Sequence, residues 1–192
     1  MRFELPPNAK PSMAMPDAKG RADRPVLGSA YIIPDPNNDE WMELFVTDSY
    51  IMARVPIRVI DPAPDNTRPP ILRLSYEAMR AVEAPRVRSF RVIEGLIEPT
   101  AAAGGQPLGV MYVQNELEPP EWRALMARDN GTPTEMFQYG IDGTKLHRLQ
   151  CALGARSGLE ITPGLTALRQ IRVQAFGDLE CYGLIMPVRL MS

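Results

Sequence analysis

The chain reads as an α+β protein in which antiparallel strands, grouped in β-α-β-β units, carry their helices on one face. Three observations predict this. Strict alternation marks strands, most cleanly over Tyr50–Ile60. There Ile51, Ala53, Val55, Ile57 and Val59 share one face, and Met52, Arg54, Pro56 and Arg58 the other. Helical spacing with matching caps follows Ser75 and Asp142. Clusters of proline and glycine divide the chain into three stretches of similar length.

The first stretch runs to about Asp61, before the linker Pro62–Pro70. Pro11 and Pro16 argue against a long helix before Arg24. Trp41–Val46 is a short strand, and Thr47-Asp48-Ser49 turns it into Tyr50–Ile60. In the second stretch, Ile71 to about Arg128, Ser75 caps a helix that turns Tyr76, Met79 and Val82 inward and ends at Pro85. A strand over Val87–Ile93 and a hairpin-like return through Ala101–Gln106 to Leu108–Val113 follow.

Asp129-Asn130-Gly131-Thr132-Pro133 then breaks the chain. In the third stretch, Thr134–Ser192, Asp142 caps a helix carrying Leu146, Leu149 and Leu153, with Gly154 as its C-cap. Strands are expected over Ala167–Ala175 and Tyr182–Leu190. The organisation predicted is a domain over 1–128 made of two half-units, 1–61 and 71–128, then a further half-unit at 134–192. The repeat is about 60 residues long and weakest in the first stretch.

Composition excludes several classes. Hydrophobic content of 45% with 23% charged residues is that of an ordinary globular protein. No apolar run approaches the roughly 20 residues that span a bilayer, and Met1–Pro7 lacks the apolar core of a signal peptide. A cytosolic protein with no membrane partner is expected. Cys151 and Cys181 suit two reduced, buried thiols better than a disulfide framework. With His147 the single histidine, no metal site and no histidine-based acid–base pair is expected.

There is no GxSxG, no glycine-rich phosphate loop and no HExxH, so neither an enzyme nor a cofactor is implied. Asp48 reads as a turn residue, and Asp39-Glu40 and Glu116/Glu118 lie in loop-like segments. The formal charge of −2 means that any nucleic-acid contact must come from a local basic face.

The run Tyr182-Gly183-Leu184-Ile185-Met186-Pro187-Val188-Arg189-Leu190 is almost wholly apolar, where a chain usually frays in polar residues. It must pack, yet Pro187 cannot sit in the middle of a sheet. An edge strand whose end lies along a surface groove meets both demands.

These segments, taken in order, resemble the bacterial sliding clamps, the processivity rings of replicative DNA polymerases. Arg24–Gly28 is similar to the family's segment after the first helix of a domain, and Leu44–Ala53 to its "ATDGHRLA"-like strand–turn–strand. Ile71–Val82 resembles the helix opening a second half-domain, and Glu118–Trp122 the "FPxY" segment that closes one. Phe137–Leu153 resembles the helix of the final half-domain, and Gly183–Leu190 the terminal tail. Ser49 stands where the family has glycine, Tyr50 and Ile51 replace His-Arg, and Met191-Ser192 extend past the usual last leucine. The chain is also about half as long as a bacterial clamp subunit, as a minimal, phage-encoded member would be.

The resemblance implies a sliding-clamp-like fold and two sites. The first is a pocket for short peptides of polymerases and clamp loaders, formed by Thr47, Tyr50, Ile51, Met52, Met186, Pro187, Val188, Arg189 and Leu190. Methionines suit a surface that takes several partners, because they repack cheaply. Without the resemblance, the same tail reads as a strand completing a core.

The second is a DNA-facing surface carrying Lys145, Arg148, Arg156, Arg73, Arg80, Lys10, Lys19, Arg21 and Arg24. Taken singly, such charges read equally as solvated faces. Gathered inside a ring they make weak, sequence-independent phosphate contacts to duplex DNA. The function implied is a head-to-tail homo-oligomeric ring, a tetramer or a trimer, that tethers a polymerase in the cytoplasm or nucleoid. The alternatives are a peptide-binding module that never encircles DNA and an enzyme on an unrelated α+β fold.

Overall fold

The computed structural model describes residues 1–24, 26–61, 71–85, 87–93, 96–101, 111–112, 119, 121, 123–124, 139–164 and 169–188. The expected breaks at 62–70 and 129–133, the segments 116–118 and 102–110, Trp122 and Phe137 lie outside the described residues, as do Arg189, Leu190, Met191 and Ser192.

The described strands form one continuous, wholly antiparallel sheet. They are β1 (Arg2–Glu4), β2 (Ser29–Pro34), β3 (Trp41–Thr47), β4 (Ile51–Asp61), β5 (Leu72–Ser75), β6 (Val87–Ile93), β7 (Leu96–Ala101), β8 (Met111–Tyr112), β9 (Leu159–Thr162), β10 (Ile171–Ala175) and β11 (Asp178–Ile185). The order runs β5-β2-β3-β4-β1-β6-β7-β8. The long β4 forks the sheet: beside β3 it pairs with β11 through Ile51–Arg54 and with β1 through Arg58–Asp61. β10 and β9 continue outward from β11.

Helices cover one face, as expected. α2 (Tyr76–Val82) begins where Ser75 Oγ accepts the Ala78 N–H, and it buries Ala78, Met79 and Val82. α3 (Gly143–Leu153) is capped by Asp142 and ends in left-handed Gly154, burying Leu149, Ala152 and Leu153. N–H bonds from Lys145 and Thr144 hold the Asp142 carboxyl below the usual aspartate range. The prolines act as anticipated: Pro11 opens a single 3₁₀ turn (Pro11–Ala14), and α1 is only Ala18–Asp23.

Between helices and sheet lies the main core, which includes Phe3, Leu44, Val46, Ile51, Ala53, Val55 and Ile57. The predicted alternation of β4 is therefore the observed one. Met52 joins a smaller cluster with Tyr31, Ile33 and Phe45 on the other face.

Four expectations need correcting. Ile71–Val82 is not all helix, because its first residues are β5, an edge strand on β2. Leu96–Ala101 is a strand although Pro99 lies within it, and it pairs antiparallel with β6. The third stretch contains β9, whose mixed Leu159-Glu160-Ile161-Thr162 gives little alternation to detect. β11 starts before Tyr182 and ends at Ile185, because Pro187 cannot extend its ladder.

The 3₁₀ turn is latched to α2 by Glu83, whose carboxylate accepts both the N–H and the hydroxyl of Ser12. Burial pushes the Glu83 carboxyl above the ordinary glutamate range, opposed by those bonds. A raised folded pKa adds stability that is present at acid pH and is lost as pH rises through it. Glu83→Gln keeps the geometry without the charge. Its melting temperature is therefore expected to equal or exceed the wild type's at pH 7, with the gap closing as pH falls into the glutamate range. Thermal melts at stepped pH measure this directly.

Candidate functional site

The site grows from the reversal between β3 and β4. Asp48 Oδ1 accepts the backbone N–H groups of Tyr50 and Ile51, each at 2.9 Å. Thr47 Oγ1 donates to the Ile51 carbonyl at 2.8 Å and accepts the Ser49 N–H at 3.2 Å. This closure puts Ser49 in the left-handed region, φ 80°, which explains the glycine that the resembling motif carries there. Ser49→Gly is expected to stabilise the protein by roughly 0.5–1 kcal/mol, the relief of that conformation less one exposed hydrogen bond from Arg24. A urea midpoint that falls instead would refute this account of the turn.

The run Tyr182–Leu190 reaches this turn through the sheet. Ile185 stands opposite Ile51 and Leu184 opposite Met52. The Met186 N–H then donates to the Tyr50 carbonyl at 2.8 Å, and the Val188 N–H to the Gly140 carbonyl at 3.0 Å. Pro187 sits between those two donors, so its missing N–H leaves no gap. The expected edge strand is corrected: β11 is interior, between β10 and β4, and only the residues past Ile185 leave the ladder.

On the face away from the helices, Arg172, Leu184, Met52 and Thr47 stand in one cross-strand row over β10, β11, β4 and β3. Leu184, Met52 and Phe45 floor a cavity of about 240 Å³, walled by Leu27, Tyr50 and Met186. Met52 is 7% exposed, whereas Tyr50 and Met186 are 57% and 40% exposed. A buried floor with an open apolar rim is the form of a groove that takes a side chain from outside.

Of the residues expected in a pocket, Thr47, Tyr50, Ile51, Met52 and Met186 border this cavity, although Ile51 belongs to the helix-side core. Pro187 and Val188 do not border it, and Arg189 and Leu190 lie outside the described residues. Phe45 and Leu184 were missed, yet period two from Thr47 and Met186 points to both. Nothing in the sequence signals Leu27 or Gln170, which arrive from distant segments.

A second, polar cleft of about 640 Å³ opens beside the same turn, between α1 and α3, and Tyr50 borders both spaces. It gathers Arg21, Arg24, Lys145 and Arg148. These cations are not uniformly available to a ligand. Arg148 bonds the carbonyls of Met13 at 2.9 Å and Met15 at 2.8 Å, and its third nitrogen pairs with Asp48 at 2.8 Å. The Lys145 ammonium lies 4.0 Å from the centre of the Tyr50 ring, and Arg21 stacks 3.9 Å over Tyr76.

The remaining expected DNA-facing residues are dispersed. Arg80, Lys10 and Lys19 are exposed, and Arg156 is exposed with a hydrogen bond to Asn8. Arg73 requires correction: it sits on β5 rather than a helix, is 8% exposed, and bonds Ser29 Oγ at 2.7 Å. Cys181 is buried but Cys151 only half-buried, 3.7 Å from exposed His147, and neither forms a disulfide.

No protein-family model matches the chain, and no curated protein matches it in sequence. Solved structures do match its fold. The DNA polymerase sliding clamp from Caulobacter crescentus superposes with a TM-score of 0.67 at 13% identity, over 94% of this chain and 62% of that one. The clamp from Bacillus subtilis gives 0.64 at 13% identity, over 100% and 65%. The sliding clamp from Bartonella birtlesii, solved bound to griselimycin, gives 0.62 at 12% identity, over 94% and 62%. The chain thus spans less than two thirds of the length of these clamps. The superposition nevertheless takes in almost the whole of this chain, and the chain has the fold of the bacterial DNA polymerase sliding clamps.

Proposed function

We propose that the chain is a processivity factor without catalytic activity. Copies of it associate head to tail into a closed ring around duplex DNA and hold polymerase or clamp-loader peptides in the apolar groove. The observation that carries this reading is the groove itself. The Thr47–Tyr50 turn and the Leu184–Met186 segment are remote in sequence, yet sheet pairing sets them side by side at an open apolar cavity.

Topological enclosure needs only weak phosphate contacts, and exposed Lys10, Lys19, Arg24 and Arg80 can supply them. The engagement of Arg148 and the burial of Arg73 favour the second reading, a groove-bearing module that never encircles DNA.

Two measurements separate the readings. Native mass spectrometry at micromolar concentration should give one closed oligomer of a few copies, whereas a stable monomer would eliminate the ring. Protein loaded on nicked circular DNA should be lost when the circle is cut, since only the topological link is broken. Loss by salt alone from both forms would leave the module reading. For the groove, removal of Met186–Ser192 should abolish binding of polymerase-derived peptides while the oligomer persists.

A further inference from the structure

The cross-strand row that floors the groove ends in a charge. Arg172 stands directly opposite Leu184 on the same face of the sheet, so its side chain begins where the apolar floor stops. It is exposed, and its guanidinium rests 4.3 Å over the Tyr182 ring. Among the described residues no carboxylate pairs with it. Arg54, on β4 across β11 from Arg172, lies 5.1 Å from the centre of the Tyr182 ring, but Arg54 is matched by Glu43 at 2.8 Å. The charge on Arg172 is therefore the uncompensated one.

Arg24 lines the neighbouring polar cleft and reaches the edge of the groove through Ser49. It is exposed and donates to Ser49 Oγ at 2.9 Å, and Ser49 is itself a groove residue. None of the residues bordering the cavity is acidic. An apolar slot with two guanidiniums beside it and no carboxylate in its wall has a definite electrostatic complement.

Resting on the groove reading above, we infer that the groove selects linear peptides whose apolar anchor is flanked by aspartate or glutamate. Arg172 and Arg24 are the specificity-determining residues. Tyr182 matters because stacking holds the Arg172 fork in place, so less freedom is lost when it meets a carboxylate. The anchor supplies most of the affinity through burial, and the flanking charges supply selection and a faster encounter.

The test uses two labelled synthetic peptides on the full chain, each with a central Leu-Leu pair. One carries Asp-Asp on either side and the other Asn-Asn. Fluorescence anisotropy at low salt is expected to show the aspartate peptide binding about tenfold tighter, with the difference shrinking severalfold in half-molar salt. Arg172→Gln and Arg24→Gln should each weaken the aspartate peptide several-fold and leave the asparagine peptide unchanged. Arg172→Glu should reverse the preference toward a lysine-flanked peptide.

Equal affinity of the two peptides for the wild type overturns the inference while leaving the groove intact. So does an Arg172→Gln variant that weakens both peptides alike, which would make the residue structural. Failure of both peptides to bind overturns the groove reading and this inference with it. Melting curves of the variants confirm that each is folded when measured.

Discussion

Gly183→Ala is expected to cost about 3 kcal/mol or more, lowering the thermal midpoint by roughly 10 °C for a chain of this size. Gly183 lies on β11 opposite Ala53, on the face that receives α3. A Cβ placed there would stand 2.2 Å from the Met52 carbonyl oxygen and 2.7 Å from Leu149 Cδ1. The second neighbour is a side chain and can give way, but the first is backbone within a paired strand and cannot. The only relief is to push β11 away from β4, which also opens the groove between them.

The prediction separates the two contacts. In Gly183→Ala/Leu149→Ala the side-chain clash is gone and the backbone clash remains, so the double variant should be no more stable than Gly183→Ala alone. Recovery of stability in the double variant, read from urea midpoints, would show that Leu149 sets the limit. That outcome would remove the backbone argument.

Arg148→Met is expected to cost about 2–4 kcal/mol. Its guanidinium joins three elements: α3, which carries it, the 3₁₀ turn through two carbonyls, and the β3–β4 reversal through Asp48. The Asp48 side chain is only 7% exposed. Methionine retains the stem but leaves that carboxylate without its cation and two carbonyls without their donors. Arg148→Lys should recover only part of the loss, because one ammonium cannot reproduce a planar fork.

A cycle with Asp48→Asn tests the assignment. The two substitutions should be non-additive by more than 1 kcal/mol if the pair is a working unit. Additive effects would show that Arg148 acts through the 3₁₀ turn alone. The same variant informs on DNA binding. If Arg148 is a structural clip, its loss should weaken DNA retention only as far as it lowers the folded fraction.

Much of the fold was legible in the sequence because its signals are local. The alternation of Ile51–Val59, the caps Ser75 and Asp142 and the C-cap Gly154 each act over a few residues, and each appears in the structure as read. Five strands escaped notice: β1 and β2 were not read at all, and the other three had their signal diluted. β7 contains Pro99, β9 mixes charge with apolar residues, and β5 merges into the helix that follows it. The groove was partly legible for the same reason. The turn and the apolar run are each recognisable alone, and period two leads from them to Phe45 and Leu184.

What the sequence by itself determined is therefore part of the alphabet: several of the strands, the two helices with their caps, and that the run at Tyr182–Leu190 needs a place to pack. Tertiary structure alone decided who meets whom. It placed β11 inside the sheet against β4 and brought Leu27 to the groove. It also turned Arg73 and Arg148 from free charges into internal fasteners, leaving Arg172, at the end of a row, without a carboxylate partner among the described residues. The physical reason is that periodicity and capping are written in neighbours a few residues apart. Whether a charged side chain is matched or exposed depends on partners tens to more than a hundred residues away.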